Sequence, residues 1–157
     1  MCCFFLSSQE VIRINRQDVK ILITSQESEF FFTGGVPEEL IHEIEKELNV
    51  QLPESYRWFL GSYGYGGING VLIQGVGLDT SLQVVNTTKS LRKYGLPQDL
   101  VVIENVDEYV ICLNTTQMQN NDCPVIDWDQ ASGLGKKQYE NLYHYLYDRF
   151  NDAIENL

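Results

Sequence analysis

Carboxylates are the chain's most plentiful reactive groups, and six of them gather beside short apolar runs. Glu104, Asp107 and Glu108 flank the turn between two such runs, while Asp122, Asp127 and Asp129 surround a third. Acids in this arrangement have three chemical uses. A pair can work as acid and base on a glycosidic bond, a cluster can hold a divalent cation, and a patch can present negative charge to a basic partner. The first use also needs a sugar-stacking aromatic tied to the pair, which the pattern does not supply. Solvated turns at strand ends produce the same distribution of acids with no chemistry at all.

Other chemistries lack their parts. Nucleophilic catalysis needs a Ser or Cys beside a His base and an orienting acid. The only histidines, His42 and His144, fall on the polar sides of predicted helices, and the chain contains no G-x-S-x-G elbow. Gly64-Tyr65-Gly66-Gly67-Ile68-Asn69 departs from G-x-G-x-x-G at its last place and precedes a strand instead of following one. Cys2, Cys3, Cys112 and Cys123 show no zinc-ligand spacing. The expectation is a protein with no catalytic residues, no metal and no cofactor.

Charge narrows the partners. The chain carries 22 acidic and 11 basic side chains, a formal net charge of −11. A phosphate-binding surface needs clustered Lys and Arg, and the basic pairs Arg92-Lys93 and Lys136-Lys137 read as helix ends. Nucleic acid is therefore not expected as a partner, whereas a negative field attracts a basic protein and speeds their encounter. Solubility alone accounts for the same acidity. No apolar run approaches the ~20 residues of a membrane span. MCCFFLSS lacks the basic flank and length of a secretory leader, so cytoplasm is the expected compartment.

The elements that must position these acids follow from periodicity. At 157 residues the chain is read as one domain, with residues 1–18 an extension of unassigned role and residues 19–157 the folded unit. Val19 to Ser28 fits a short helix. Pro37 to Asn49 fits another, with Leu40, Ile41, Ile44 and Leu48 on one face and Glu38 and Glu39 in the first turn. In LPESYRWFLGSYGYGG, Tyr56, Phe59, Leu60 and Tyr63 recur at helical spacing, and Gly64 stops the helix. Gly66 and Gly67 then turn the chain into a strand at Val71–Gln74. Leu82 to Tyr94 reads as helical. Leu100–Glu104, Tyr109–Leu113 and Pro124–Trp128 read as strands joined too tightly for helical crossovers, hence an antiparallel meander. Lys137 to Leu157 carries Tyr139, Leu142, Tyr143, Leu146, Phe150, Ile154 and Leu157 on a helical stripe. Trp58 and Trp128 read as core or core-edge rings. The sum is an α+β domain, a mainly antiparallel sheet packed by helices.

Several of these pieces, in this order, resemble the SUKH superfamily of the Smi/Knr type. They are Thr33-Gly34-Gly35 before PEELIHEIEKEL, then LPESYRWFLGSYGYGG, VVIENVDEYVICLNT and CPVIDWD. Together they span most of the chain from about Val19, and bacterial immunity proteins are the most similar members. The resemblance implies the same α+β fold and a non-enzymatic role: binding a cognate polymorphic toxin, often a nuclease, and blocking it by occlusion. On that implication Glu104, Asp107, Glu108, Asp122, Asp127 and Asp129 are the partner-binding candidates, facing a basic protein toxin. Fungal members of the type resemble signalling or cell-wall regulators. A regulatory scaffold binding an endogenous protein is therefore the alternative reading, and a carboxylate-dependent hydrolase the second.

Overall fold

The computed structural model describes residues 13–25 and 30–156. Along the chain come α1 (Arg16–Thr24), β1 (Phe30–Phe32), α2 (Glu38–Leu48), α3 (Glu54–Ser62), β2 (Gly66–Ile68) and α4 (Gln83–Arg92). They are followed by β3 (Leu100–Asn105), β4 (Val110–Asn114), β5 (Val125–Asp129), β6 (Gly133–Tyr139) and α5 (Leu142–Glu155). Strands β3 to β6 form an antiparallel meander in chain order, and β1 pairs with β2 in a separate antiparallel ribbon. This is the α+β arrangement the sequence implies.

Local chemistry explains where the helices begin and end. Asn15 caps α1, accepting from the Asp18 N–H while the Asp18 side chain accepts from the Asn15 N–H. The helix thus starts before Val19, and it ends at Thr24; residues 26–28 of the predicted helix lie outside the described residues. Helix α2 carries Glu38 and Glu39 at its positive end and closes on Asn49 in the left-handed conformation. Pro53 stands at the N-cap of α3, and Gly64, at φ +77°, ends the turn that follows. Tyr56, Phe59 and Leu60 are fully buried, with Tyr63 half-buried beside them.

Two elements differ from expectation. Val71–Gln74 is not a strand of either sheet. Only Ile73 bridges, to Gly66, and the strand is instead the glycine segment Gly66–Ile68, paired with Phe30–Phe32. A Cβ on Gly66 would lie 2.0 Å from the Phe31 carbonyl oxygen, so the missing side chain is what lets the two backbones meet. Second, Lys137–Tyr139 does not begin the last helix; it ends β6. Asn141 caps the helix, accepting from the His144 N–H at 3.1 Å, so α5 starts at Leu142. Tyr139 fits the helical stripe by spacing but pairs with Val125 across the sheet.

The glycine junction ties the layers together. The N–H of Val76 donates to the Gly64 carbonyl at 3.0 Å, Val84 to Gly75 at 3.1 Å, and Gln74 to Ile103 at 2.7 Å. The Tyr56 hydroxyl donates to the Gln74 carbonyl at 2.6 Å. Segment 64–76 therefore joins α3, α4 and β3 at once. On the helix-facing side of the meander, Val101, Ile103, Ile111, Leu113 and Val125 pack with Leu142, Tyr145, Leu146 and Phe150. On the other side Leu100, Val102, Val110, Cys112, Ile126 and Trp128 form a smaller cluster, closed by Leu96 and flanked by Leu91. The outer edge of β3 is covered: Val102 donates its N–H to the Thr88 hydroxyl at 3.0 Å.

Phe59 packs within 6.3 Å of the Tyr56, Phe32 and Tyr63 ring centroids and has no exposed surface. Phe59→Ala should destabilise the protein by about 3–5 kcal/mol, measured by urea denaturation. A midpoint shift near zero would remove α3 from the core.

Candidate partner-binding site

Strand direction decides where the six acids lie. Because β3 to β6 alternate, the β3–β4 and β5–β6 turns share one end of the sheet. Asp107 and Glu108 are exposed in the first turn, where Asp107 adopts φ +67° and its N–H donates to Asn105 Oδ1 at 2.9 Å. Asp129 leads into the second turn, accepting from the Ser132 N–H at 2.6 Å. Asp127 lies on the helix-facing side, opposite Ile111, which itself pairs with Glu104 on its other flank. Glu104, Ile111 and Asp127 thus form a row across three strands. Asp122 precedes β5 at the opposite end of the sheet, against α3.

Glu104 reaches that row through a bulge. Strict alternation after Val102 and Ile103 would point it away from α5, but the register shifts between Val102 and Glu104 and brings it to the helix side. There its carboxylate is buried, 3% exposed. The Arg149 Nε donates to both oxygens at 3.1 Å, Arg149 Nη2 donates to Oε2 at 2.8 Å, and the Tyr145 hydroxyl donates to Oε1. The two-pronged guanidinium contact satisfies a charge that would otherwise be costly to bury. Glu104 raises the Arg149 pKa, and burial together with the neighbouring carboxylate raises that of Tyr145. Glu104 fastens α5 to the sheet and presents little surface to a partner.

Asp122 has a different task. Its Oδ1 accepts from the Ser55 hydroxyl at 2.7 Å and the Cys123 N–H at 3.0 Å, while Asn121 accepts from the Glu54 N–H at 2.7 Å. Together these contacts dock the β4–β5 connection on the start of α3. Burial pushes the Asp122 carboxyl above its ordinary value, the two hydrogen bonds oppose that shift, and Glu54 and Glu140 add to it.

Between the second half of α5 and the acid-bearing end of the sheet lies a cleft of about 500 Å³. Tyr109, Tyr139 and Tyr145 line it, and Asp148, Asp152 and Glu155 border it from α5. These three acids are not among the six that the sequence pattern picks out, since they stand beside the apolar stripe of a helix and not at a strand end. Their i, i+4, i+7 spacing, which places them on one helix face, was the available signal. Among the described residues, no group of three or more His, Cys, Asp or Glu side chains is arranged to hold a metal ion. Cys112 and Cys123 are buried free thiols; burial leads the causes that push the Cys123 thiol up to about 12. His42 is exposed beside Glu38 and Glu45, and His144 lies 3.7 Å from Asp148. No helix among the described residues is long and apolar enough to cross a membrane.

The family model described as SMI1-KNR4 cell-wall (SUKH_5) matches residues 10–151. Among solved structures, the crystal structure of a protein from Pseudomonas syringae pv. tomato aligns with a TM-score of 0.70 at 16% identity, over 88% of this chain and 99% of that one. At that identity the likeness speaks to the fold alone.

Two measurements test the roles of Glu104 and Asp122. Arg149→Met strands a buried carboxylate and should cost about 3–5 kcal/mol, most of it recovered in the Glu104→Leu, Arg149→Met double variant. Equal loss in the double variant would mean that Arg149 acts through packing and not charge. For Asp122, the folded carboxyl holds its proton more tightly than the unfolded one, so the native state gains stability as pH falls through the acidic window between the two values. Asp122→Asn keeps an oxygen for both donors. It should melt above the parent protein near neutral pH, and the gap should close as the medium is acidified; a gap that widens in acid would contradict the assignment.

Proposed function

The chain belongs to the SMI1-KNR4 cell-wall family (SUKH_5), and on that premise we propose that it is a non-enzymatic immunity protein. It binds a cognate polymorphic toxin, often a nuclease, and neutralises it by occlusion in the cytoplasm. The observation that carries this reading is the gathering of acids at the turn end of the sheet. Asp107, Glu108 and Asp129 gather there, with Asp152 and Glu155 across the cleft, and among the described residues none of them has a Lys or Arg ion partner within 4.0 Å. A toxin that works on nucleic acid carries a basic surface, and an acidic protein seated on it removes both the charge and the space the nucleic acid needs. Asp107, Glu108, Asp127 and Asp129 are the proposed contact acids. Glu104 supports them from inside, and Asp122 lies outside the patch.

A second reading, a regulatory scaffold binding an endogenous protein, draws on the cell-wall description of the matching family. A carboxylate-dependent hydrolase has less behind it. Glu104 is engaged by Arg149 and Tyr145, and Asp122 sits at the other end of the sheet, so neither joins the remaining acids on one substrate.

Co-expression with candidate toxin domains, followed by co-purification and a toxicity assay, separates the first two readings. Capture and rescue support immunity; capture of a host protein with no rescue supports the scaffold. In the complex, exposed acids should act mainly on encounter. The association rate should fall as NaCl rises through the range where the Debye length shrinks below about 8 Å. The Asp107→Asn, Glu108→Gln, Asp129→Asn variant should associate more slowly with less salt dependence. Rates identical to the parent at every salt concentration would move the interface elsewhere.

A further inference from the structure

We propose that the cleft between α5 and the turn end of the sheet receives an arginine side chain of the partner; the proposal rests on the toxin-binding reading and deepens it. Three features, the last two resting on the same acids, converge on a cation with a flat head. The walls are rings: Tyr109, Tyr139 and Tyr145, with Tyr139 and Tyr145 edge-to-face at 5.1 Å between centroids. Ring faces attract cations, and a planar guanidinium stacks on them where an ammonium cannot. The rim is acidic: Asp148, Asp152 and Glu155 stand one above another on α5. Arg149 also faces the cleft but does not cancel them, because both oxygens of Glu104 already hold it.

The third feature is an unfavourable arrangement inside the free protein. The C-terminal end of a helix carries the negative pole of its dipole and favours Lys, Arg or His⁺. The last turn of α5 has no basic residue and holds Asp152 and Glu155 instead. Asp148 and Asp152 are moreover like charges at i, i+4, a spacing that destabilises a helix. Helix α2 shows the opposite, favourable arrangement: Glu38 and Glu39 start it, and Lys46 ends it. A cation brought by a partner would relieve the strain at α5, and the fork of arginine matches the carboxylates of the rim.

The probe is acetyl-tetra-arginine-amide, titrated into the full chain at low salt and followed by amide chemical shifts, with tetra-lysine in parallel. Saturable shifts should concentrate at Val106, Tyr109, Tyr139 and the last two turns of α5, with arginine ahead of lysine. The Asp148→Asn, Asp152→Asn, Glu155→Gln variant should lose this binding yet melt at a higher temperature, because the dipole conflict is gone. Tyr109→Ala should weaken the arginine peptide about 2–5-fold and the lysine peptide less. A Glu39→Gln, Glu43→Gln variant on the exposed face of α2 serves as the charge control and should bind as the parent does. Loss of binding in that control equal to the loss in the α5 variant, or shifts spread over α2 as strongly as over the cleft, would overturn the proposal. A lower melting temperature of the α5 variant would equally overturn the dipole argument. The two readings fail separately. A toxin captured with unchanged affinity by the α5 variant sinks the cleft and leaves immunity standing, whereas site-specific arginine binding by a protein that captures no toxin does the reverse.

Discussion

The fold depends on backbone meeting backbone at a knot of glycines. A Cβ on Gly35 would fall 2.0 Å from the Gly61 oxygen, one on Gly64 2.1 Å from the Gly34 oxygen, and one on Gly75 1.7 Å from the Gly64 oxygen. No side chain larger than hydrogen fits at these crossings. The gain is hydrogen bonding that side chains would hold apart: Thr33 to Tyr65 and Gly34 to Tyr63, both at 2.9 Å, and Gly66 with Ile73 in both directions at 2.8–3.0 Å. Buried peptide groups are thereby paired without a long sheet. Around this knot α3 contributes Tyr56 and Phe59, and segment 71–76 carries the connection on to β3 and α4.

Charge is distributed with similar consequence. Of the 11 basic side chains, several are committed inside the molecule. Arg57 pairs with Glu38 and Glu45, Lys89 with Glu47, Arg16 with Glu54, and Arg149 with Glu104. Arg92 donates to the Leu48 carbonyl at 3.0 Å and to Gln98 at 2.7 Å, holding the end of α2. These cations join elements, and most of them cluster on the α2–α3 side. Among the described residues, acids in no ion pair with a Lys or Arg remain both on α2, at Glu39 and Glu43, and at the turn end of the sheet, at Asp107, Glu108 and Asp129. A surplus of this kind serves solubility, and where acids gather it can orient a basic partner before contact.

Much of this was legible in the sequence, and the exceptions have causes. The apolar periodicity of α2 and α3 and the short spacers of the meander were sufficient, because burial there is governed by which residues alternate. Segment 64–73 differs from expectation because Gly66 and Gly67 signal a turn by type, whereas here close approach makes them a strand. Tyr139 fitted a helical stripe by number alone, and only Asn141, a better cap than anything upstream, places the start of α5 after it. The site was half legible. Asp107, Glu108 and Asp129 at one end follow from the antiparallel order of strands. Glu104 required knowledge of a bulge, and no local pattern in LVVIEN announces one. The acids of α5 were visible as a spacing but carried no meaning until the cleft showed what they border.

The knot and the acid-bearing end of α5 are mechanically connected. Gly67 lies in β2, and a Cβ there would stand 3.2 Å from Phe150 Cε1, so the Phe150 ring rests on bare backbone. Asn69, one residue beyond β2, donates its Nδ2–H to the Ala153 carbonyl at 2.8 Å. Phe150 and Ala153 bracket the turn of α5 that carries Asp152, and Arg149, next to Phe150, is tied to Glu104 in the sheet. The second half of α5 is therefore held from two sides, by the glycine ribbon and by the bulged strand. A helix end bearing acids against its own dipole would fray if left alone. Here tertiary contacts supply the stability that local electrostatics withhold.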